Sequence, residues 1–421
     1  MTLIKRDILP AISAHLSVKE ITIILGPRQV GKTTLLLDLE KQARSEGRKT
    51  LFLNLDVERD STYASSQDDL IRKIKLEFGD SPGLVFIDEI QRKPEAGLFL
   101  KGLYDLGLPY KFVVSGSGSL ELKSKTRESL VGRKREFELL PVSFSEFTRY
   151  KTNYRYEDRW AEFSSVESGL LRGLLDEYLT FGGYPRIVTE PEAEEKRRLL
   201  DELFRGYVEK DISFLLRVER TDAFTRLIRL LASQTGRMIR LERLSAESGI
   251  SVPTVKQYLG YAEKTYILRT VPPYFNNPRK EITKSPNVYF YDTGLRNHAL
   301  GLLGGIQRPE EWGWLLQNAV GNHLFEAVRW KGWTVHYWRT INGAEVDFIL
   351  NKQHEIVPVE VKYARLARPE LTRSFLSFLE KYKPREAWVV HLGSRMERIV
   401  NGSVVRFIPF FDLHSTVRRE A

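Results

Sequence analysis

The octapeptide GPRQVGKT, Gly26 to Thr33, constrains the fold of this chain more than any other feature. It fits G-x-x-x-x-G-K-[ST] at every fixed position, follows the apolar run ITIIL and opens the amphipathic segment TTLLLDLEKQARSEG. Strand, glycine turn and helix in that order surround a concave loop with inward backbone N–H groups and the positive end of a helix. That is a cradle for phosphate oxygens. Gly26, Pro27, Arg28, Gln29, Val30, Gly31, Lys32, Thr33 and Thr34 are the expected ATP contacts, with Lys32 on the β- and γ-phosphates and Thr33 on Mg²⁺. The rival explanation is a chance match on a tight strand-to-helix turn.

Two further strand ends belong with this loop. LVFIDEI puts Asp88 and Glu89 at the mouth of an apolar strand, where Asp88 would hold Mg²⁺ and Glu89 would orient or deprotonate the attacking water. KFVVSGS places Ser115 where a hydroxyl could touch the γ-phosphate or that water. Four runs, ITIIL, TLFLNLD, GLVFIDEI and YKFVVSGS, alternate with segments of helical spacing, the pattern of an α/β doubly wound sheet.

After PVSFSEF the pattern changes to successive helices, interrupted by FGGYPRIV, Phe181 to Val188. LERLSAESGISVPTVKQYLGYAEKTYILRTV then reads helix, glycine turn, helix and strand, the order of a winged helix-turn-helix. Thr254, Lys256 and Gln257 near the start of its second helix, and Arg269, Arg279 and Lys280 in and after the wing, are the expected DNA contacts. The alternative is a three-helix spacer that only packs. Strands return from about Pro286. The expected domains are 1–150, a nucleotide-binding core; 151–231, a helical lid; 232–285, the winged helix; and 286–421, a second α/β unit.

In that last unit IVPVEVKYA has a period of two, so Val357, Val359 and Val361 share one strand face and Glu360 and Lys362 the other. Asp347 sits one strand earlier, in AEVDFIL. Two carboxylates to hold a hard cation and a lysine to position water are what Mg²⁺-dependent phosphodiester cleavage requires. An exposed ion pair on an edge strand is the plainer alternative.

GPRQVGKTT, IDEIQ, SGS, VGRKREFELLPVSFSEF, YLTFGGYP and YVEKDI together resemble a prokaryotic branch of the AAA+ ATPases, over essentially the whole chain. The resemblance implies an ATPase with ATP and Mg²⁺ bound. It makes Ser115 a sensor, sets Gln91 beside the water path and makes Arg133 a candidate arginine finger for a neighbour's nucleotide. Arg127, Lys134 and Arg135 lie close to Arg133 in sequence. A finger acting in trans implies a ring, expected as a hexamer. The C-terminal unit is similar to the PD-(D/E)xK nuclease fold, the group of restriction enzymes and archaeal Holliday-junction resolvases. In its long helix, GWLLQNAVGNHL, Gln317 stands where relatives typically carry a metal-holding Glu. An amide has no charge to hold Mg²⁺. Glu326, nine residues further on, falls on the opposite helix face.

The expected function is an AAA+ ATPase that couples hydrolysis to binding and remodelling DNA, for example branch migration of branched or double-stranded DNA. An ATP-gated nuclease is the first alternative, and a nucleotide-controlled signalling or defence switch with a protein partner the second. The 65 Lys+Arg against 55 Asp+Glu give a net charge of +10, which favours an acidic partner. There is no cysteine, which excludes disulfides, thiolate metal sites and cysteine nucleophiles. No stretch reaches the roughly 18 apolar residues of a membrane span, and the first residues lack a signal-peptide core. A cytoplasmic protein is expected.

Overall fold

Five strands build the first sheet: β1 (Ile21–Gly26), β2 (Lys49–Asn54), β3 (Gly83–Asp88), β4 (Tyr110–Ser117) and β5 (Lys134–Glu138), of which β1, β3 and β4 are almost wholly buried and β2 and β5, at the two edges, are half-exposed. All pair in parallel, in the order β2-β3-β4-β1-β5. The computed structural model describes residues 3–117, 130–206, 221–275, 285–329, 331–353 and 355–419. Continuous apolar runs such as Ile21–Leu25 suit strands covered on both faces, and the covering helices include α1 (Lys32–Ser45), Gln67–Phe78 and Ala96–Asp105. The sheet carries the expected α/β architecture. β4 lies at its centre with β1 and β3 on either side, so the loop after β1 and the acidic end of β3 meet at the carboxyl edge.

A helical layer follows. α2 (Phe144–Lys151) opens with a capping box, in which the Ser143 hydroxyl accepts from the Glu146 N–H and the Glu146 carboxylate accepts from the Ser143 N–H. α3 (Ser168–Phe181) ends at Gly182, and the short α4 (Pro185–Thr189) begins with a proline at its first position. Next comes the three-helix unit α5 (Thr221–Ser233), α6 (Leu241–Ser248) and α7 (Val252–Lys264), with α7 capped by Ser251. Its strand β6 (Leu268–Val271) pairs antiparallel with β7 (Asn287–Phe290) in a separate two-stranded sheet.

That pairing corrects the expectation that strand NVYF opens the C-terminal unit. β7 instead completes a two-stranded ribbon after the three-helix unit: Val288 and Phe290 enter the core that holds Leu227, Leu231 and Leu268, while Tyr289 packs into the core of the C-terminal sheet. α8 (Thr293–Ala299), capped by the Asp292 side chain, then packs on α3 and α5.

α9 (Pro309–Val328) is followed by a six-stranded mixed sheet. Its strands are β8 (Thr334–Arg339), β9 (Glu345–Asn351), β10 (Ile356–Val361), β11 (Glu386–His391), β12 (Met396–Val400) and β13 (Ser403–Pro409), in the order β12-β13-β11-β10-β9-β8. β8, β9 and β10 form an antiparallel meander, and β11 joins β10 in parallel after the crossover helix α10 (Arg373–Tyr382). The final helix, α11 (Leu413–Arg419), packs on α9. Among the described residues no helix is long and apolar enough to cross a membrane.

Candidate functional site

The loop after β1 has the shape its sequence requires. A Cβ on Gly26 would lie 2.0 Å from the Leu139 carbonyl oxygen, so glycine alone fits where the strand gives way to the loop. Gln29 and Gly31 take left-handed φ angles of 61° and 92°, which turn the chain about on itself before α1. Lys32 is buried, and its Nζ donates to the carbonyls of Pro27 at 2.7 Å and Gly26 at 3.2 Å. Burial pulls its ammonium down to about 8, partly offset by the carboxylates of Glu89 and Asp88.

Asp88 is wholly buried at the end of β3, and both of its oxygens are engaged. The Thr33 hydroxyl donates to Oδ2 at 2.6 Å and the Ser115 hydroxyl donates to Oδ1. Thr33, Asp88 and Ser115 therefore form one cluster drawn from α1, β3 and β4, as the sequence implied. The Thr33 hydroxyl and the Asp88 carboxylate are adjacent hard oxygen donors that fit Mg²⁺. Glu89 turns out of the strand at φ 56°, and its carboxylate accepts a hydrogen bond from the Gln91 amide.

A cleft of about 730 Å³ opens over Arg28, Gln29, Gly31, Lys32, Thr33, Thr34 and Glu89, within the usual size for a small-molecule site. Its far wall is Pro185 and Arg186 of α4, the GGYP segment. Arg186 is a cation facing the phosphate loop that sequence reading missed. The only signal for it was its place after an interrupting GGYP, with no fixed spacing from the loop. Arg133 behaves differently. It stands just before β5, whose Lys134 pairs with Ile21 at the start of β1, so it lies at the opposite edge of the sheet from the phosphate loop. The length of β1 separates the two, roughly 20 Å. There Arg133 is ion-paired with Asp105 at 2.7 Å.

A second constellation lies in the C-terminal unit. β9 and β10 place Asp347 beside Glu360, and α9 brings Gln317 over them. Each carboxylate oxygen in this group meets a protein donor. Gln317 Nε2 donates to Asp347 Oδ1 at 3.0 Å and the Val361 N–H to Oδ2 at 2.7 Å. Lys362 Nζ lies 2.6 Å from Glu360 Oε1, and the Thr372 hydroxyl, which also caps α10, donates to Oε2 at 3.0 Å. Burial and the neighbouring Glu360 raise the Asp347 carboxyl to about 7. The second hydrogen of the Gln317 amide goes to the Tyr289 hydroxyl at 3.0 Å. Its oxygen faces Gly236, where an added Cβ would approach to 2.8 Å.

The four residues singled out from sequence thus converge, but Gln317 offers N–H to the site, not oxygen. Among the described residues no three acidic or histidine side chains gather as a metal site. Gly236, Tyr289 and Thr372 support the group and carried no sequence signal, because each comes from a different element. Arg237, next to Gly236, lies over the Trp314 ring at 4.6 Å beside the same cavity.

The expected DNA contacts divide. Lys256 and Gln257 are exposed on α7, and the Gln257 amide reaches the Tyr261 hydroxyl at 2.5 Å. The Thr254 hydroxyl is engaged with the capping Ser251 at 2.8 Å. Arg269 is a correction to the expectation. Its guanidinium lies 4.0 Å from the Tyr291 ring and 4.2 Å from the Phe325 ring, between the β6–β7 ribbon and α9, so it glues the two together and does not face outward. Arg279 and Lys280, like Arg127 and the YVEKDI segment, lie outside the described residues.

Three segments of the chain match known protein families. Residues 18–148 match the family described as AAA domain. Residues 172–304 and 312–412 match two families described as domains of unknown function, DUF8612 and DUF4143. An uncharacterized protein of Mycobacterium tuberculosis is 25% identical over 397 residues, 93% of this chain and 81% of the relative. An uncharacterized protein of Methanocaldococcus jannaschii is 25% identical over 349 residues, 81% of this chain and 74% of the relative. Among solved structures, the replication initiator DnaA bound to AMPPCP and single-stranded DNA aligns with a TM-score of 0.31 and 15% identity, over 62% of this chain and 90% of that one. AMPPCP-bound DnaA from Aquifex aeolicus aligns with a TM-score of 0.28 and 15% identity, over 61% and 86%. The parallel sheet with its phosphate loop lies within the residues that match the AAA domain family.

Proposed function

We propose that this chain is an AAA+ ATPase that couples ATP hydrolysis to the binding and remodelling of DNA, and that its C-terminal nuclease-like unit grips DNA without cutting it. The observation that carries the ATPase is the Thr33–Asp88–Ser115 cluster with Glu89 beside it, at the carboxyl edge of a parallel sheet and under a cleft. Lys32 and the loop amides hold the phosphates. Thr33 and Asp88 would hold Mg²⁺, which neutralises phosphate charge when bound. Glu89 takes the proton of the attacking water. Arg133, about a strand's length from its own phosphate loop, serves a neighbour's nucleotide, so the working form is a ring, a hexamer in this reading.

DNA as the partner is supported by the exposed Lys256 and Gln257 on the second helix of the winged unit and by the overall charge of +10. Non-cleavage is supported by the Asp347–Glu360 site, where hydrogen-bond donors take every carboxylate oxygen and an amide replaces a third acid. ATP turnover measured with and without duplex and four-way DNA tests the proposal. Stimulation by DNA that vanishes in Lys32→Ala supports it. Slow turnover indifferent to DNA would instead favour a nucleotide-controlled switch with a protein partner.

One observation favours the ATP-gated nuclease as a second reading: Asp347, Glu360 and Lys362 do converge beside an open cavity. If Glu360→Ala leaves all breakdown of DNA unchanged, that reading is wrong.

A further inference from the structure

A cavity of about 280 Å³ joins the loop after α5 to α9 and to the hairpin of β8 and β9. The loop contributes Gly236 and Arg237, α9 contributes Trp314 and Gln317, and the hairpin contributes Arg339 and Glu345. The volume falls just under the usual range for a whole small-molecule ligand and leaves room for one planar ring system. The Arg237 guanidinium lies over the Trp314 ring at 4.6 Å and has no carboxylate partner among the described residues. A planar base adds readily to such a stack. Deeper in the cavity the polar groups are acceptors. Both amide hydrogens of Gln317 are spent, on Asp347 and Tyr289, which leaves its oxygen toward Gly236, and Glu345 and Asp347 add carboxylates. Acceptors repel phosphate and attract the amino groups of adenine, cytosine and guanine.

The rim has the opposite sign. Arg237 and Arg339 are exposed, and the pairing of Arg339 with Glu345 at 3.4 Å is a surface contact that gives way easily. A nucleotide is therefore sorted by charge, base inward and phosphates on the rim. The hairpin carries a further feature, Ile341, which stands 105% exposed in the turn between β8 and β9. The turn is braced. The Thr340 N–H donates to the Ala344 carbonyl at 2.8 Å, the Ala344 N–H donates to the Thr340 hydroxyl at 3.1 Å, and Gly343 takes φ 86°. One exposed apolar side chain is ordinary in itself. Ile341 differs by its place, two residues from Arg339 and two from Gly343, both of which line the cavity. A branched side chain on a stiff support can enter between stacked bases.

We infer that this cavity receives one unpaired nucleobase of bound DNA, stacked on the Arg237–Trp314 pair, and that Ile341 is the wedge that parts the base from its neighbour. The inference rests on the reading of DNA as the partner. The base gives its amino hydrogens to the Gln317 oxygen and to Glu345, while the flanking phosphates rest on Arg237 and Arg339. One guanidinium serves both purposes, since its face stacks and its edge donates. Fully paired DNA offers no such base, whereas a bulge or the crossover of a junction does. The C-terminal unit thereby selects branched DNA from duplex by an unpaired base, with no cut required.

Equilibrium binding of the full chain to labelled DNAs of one length tests this: a fully paired duplex, the same duplex with a single adenine bulged out, and the same with an abasic bulge. The parent should bind the adenine bulge about tenfold more tightly than either of the others, the worth of one stacked base. Trp314→Leu should bring that ratio to about one, and Trp314→Phe, which keeps a ring, should restore most of it. Arg237→Ala, at an exposed position where folding is not at stake, should cut the ratio about threefold. Ile341→Ser should weaken binding to four-way DNA about fivefold more than binding to the adenine bulge, whose base is already out of the stack. Equal affinity of the parent for adenine and abasic bulges, or a preference that survives both Trp314→Leu and Arg237→Ala, overturns the base pocket. Equal losses on the bulge and on four-way DNA in Ile341→Ser overturn the wedge. Failure of the parent to bind any of the DNAs refutes DNA as the partner and the inference with it, whereas binding without preference refutes the inference alone.

Discussion

Replacing Gln317 by Glu tests what the amide does between α9 and β9. Its Nε2 stands 3.0 Å from Asp347 Oδ1 and 3.0 Å from the Tyr289 hydroxyl. Gln317→Glu puts a carboxylate oxygen where a donor stood. Two like charges 3.0 Å apart repel by about 5 kcal/mol at an effective dielectric of 20. That figure is a ceiling, because Asp347 already titrates at about 7 and the pair shares a proton below that pH. At pH 8 without divalent ions a loss of about 2–4 kcal/mol is expected, at least about 5 °C in the melting of the C-terminal unit. The loss should shrink at pH 6. Mg²⁺ or Mn²⁺ should restore much of it in the variant and leave the parent unmoved, since the new carboxylate joins Asp347 and Glu360, with Glu310 and Glu345 on the same cavity wall, and the side-chain amide N–H is gone. Differential scanning fluorimetry without nucleotide, with and without millimolar divalent ion, reads all of this. A parent protein whose melting rises with Mg²⁺, and whose rise is lost in Glu360→Ala, would refute the idea that donors have replaced the cation.

Three further outcomes follow from named contacts. Gly236→Ala, at φ 75° and with a Cβ 2.8 Å from Gln317 Oε1 and from the Trp314 ring, should destabilise the contact between the loop after α5 and α9 by about 1–3 kcal/mol, seen as lower melting with nucleotide affinity intact. Asp292 accepts the N–H groups of Gly183 and Leu295, and burial raises its carboxyl to about 6, so the folded state binds the proton more tightly than the unfolded chain. Stability from this group is greatest below pH 4 and falls as pH rises to 6, by about 3 kcal/mol at most. Asp292→Asn should therefore compare better with the parent at pH 8 than at pH 4.5 in melting experiments. Arg269→Ala, which removes a guanidinium from between two rings, should lower melting and leave the salt dependence of DNA binding unchanged, whereas Lys256→Ala should reduce that slope by about one.

The first sheet was legible because its signals are local. ITIIL, GLVFID and YKFVVSGS are short apolar runs, and the loop between β1 and α1 has fixed spacing, so their meeting at one edge follows from parallel order alone. The helix, glycine turn and helix of residues 241–264 were legible for the same reason. β7 was misplaced because NVYF is too short, and too evenly buried, to carry an alternation that says which sheet it joins; its pairing with β6 is decided by a nonlocal hydrogen-bond ladder. Arg269 was read as a surface cation because sequence does not show that Tyr291 and Phe325 close on it from two other elements. At the C-terminal site the period of two in IVPVEVKYA correctly grouped Glu360 with Lys362, and Gln317 marked the odd position in α9. What sequence could not show was the direction of the amide, which Tyr289 and Gly236 set from the winged unit. Arg186 was hidden likewise, since it acquires meaning only from a phosphate loop distant in the chain.

The most direct test follows labelled single-stranded, duplex and four-way DNA with Mg²⁺, with and without ATP, scoring binding, strand separation and cleavage in one gel. Separation of the four-way substrate that requires ATP and an intact Lys32, with every strand left uncut, is the expected result. Cuts that disappear in Glu360→Ala would contradict the non-cleaving C-terminal site, and failure to bind any of the three DNAs would contradict DNA as the partner.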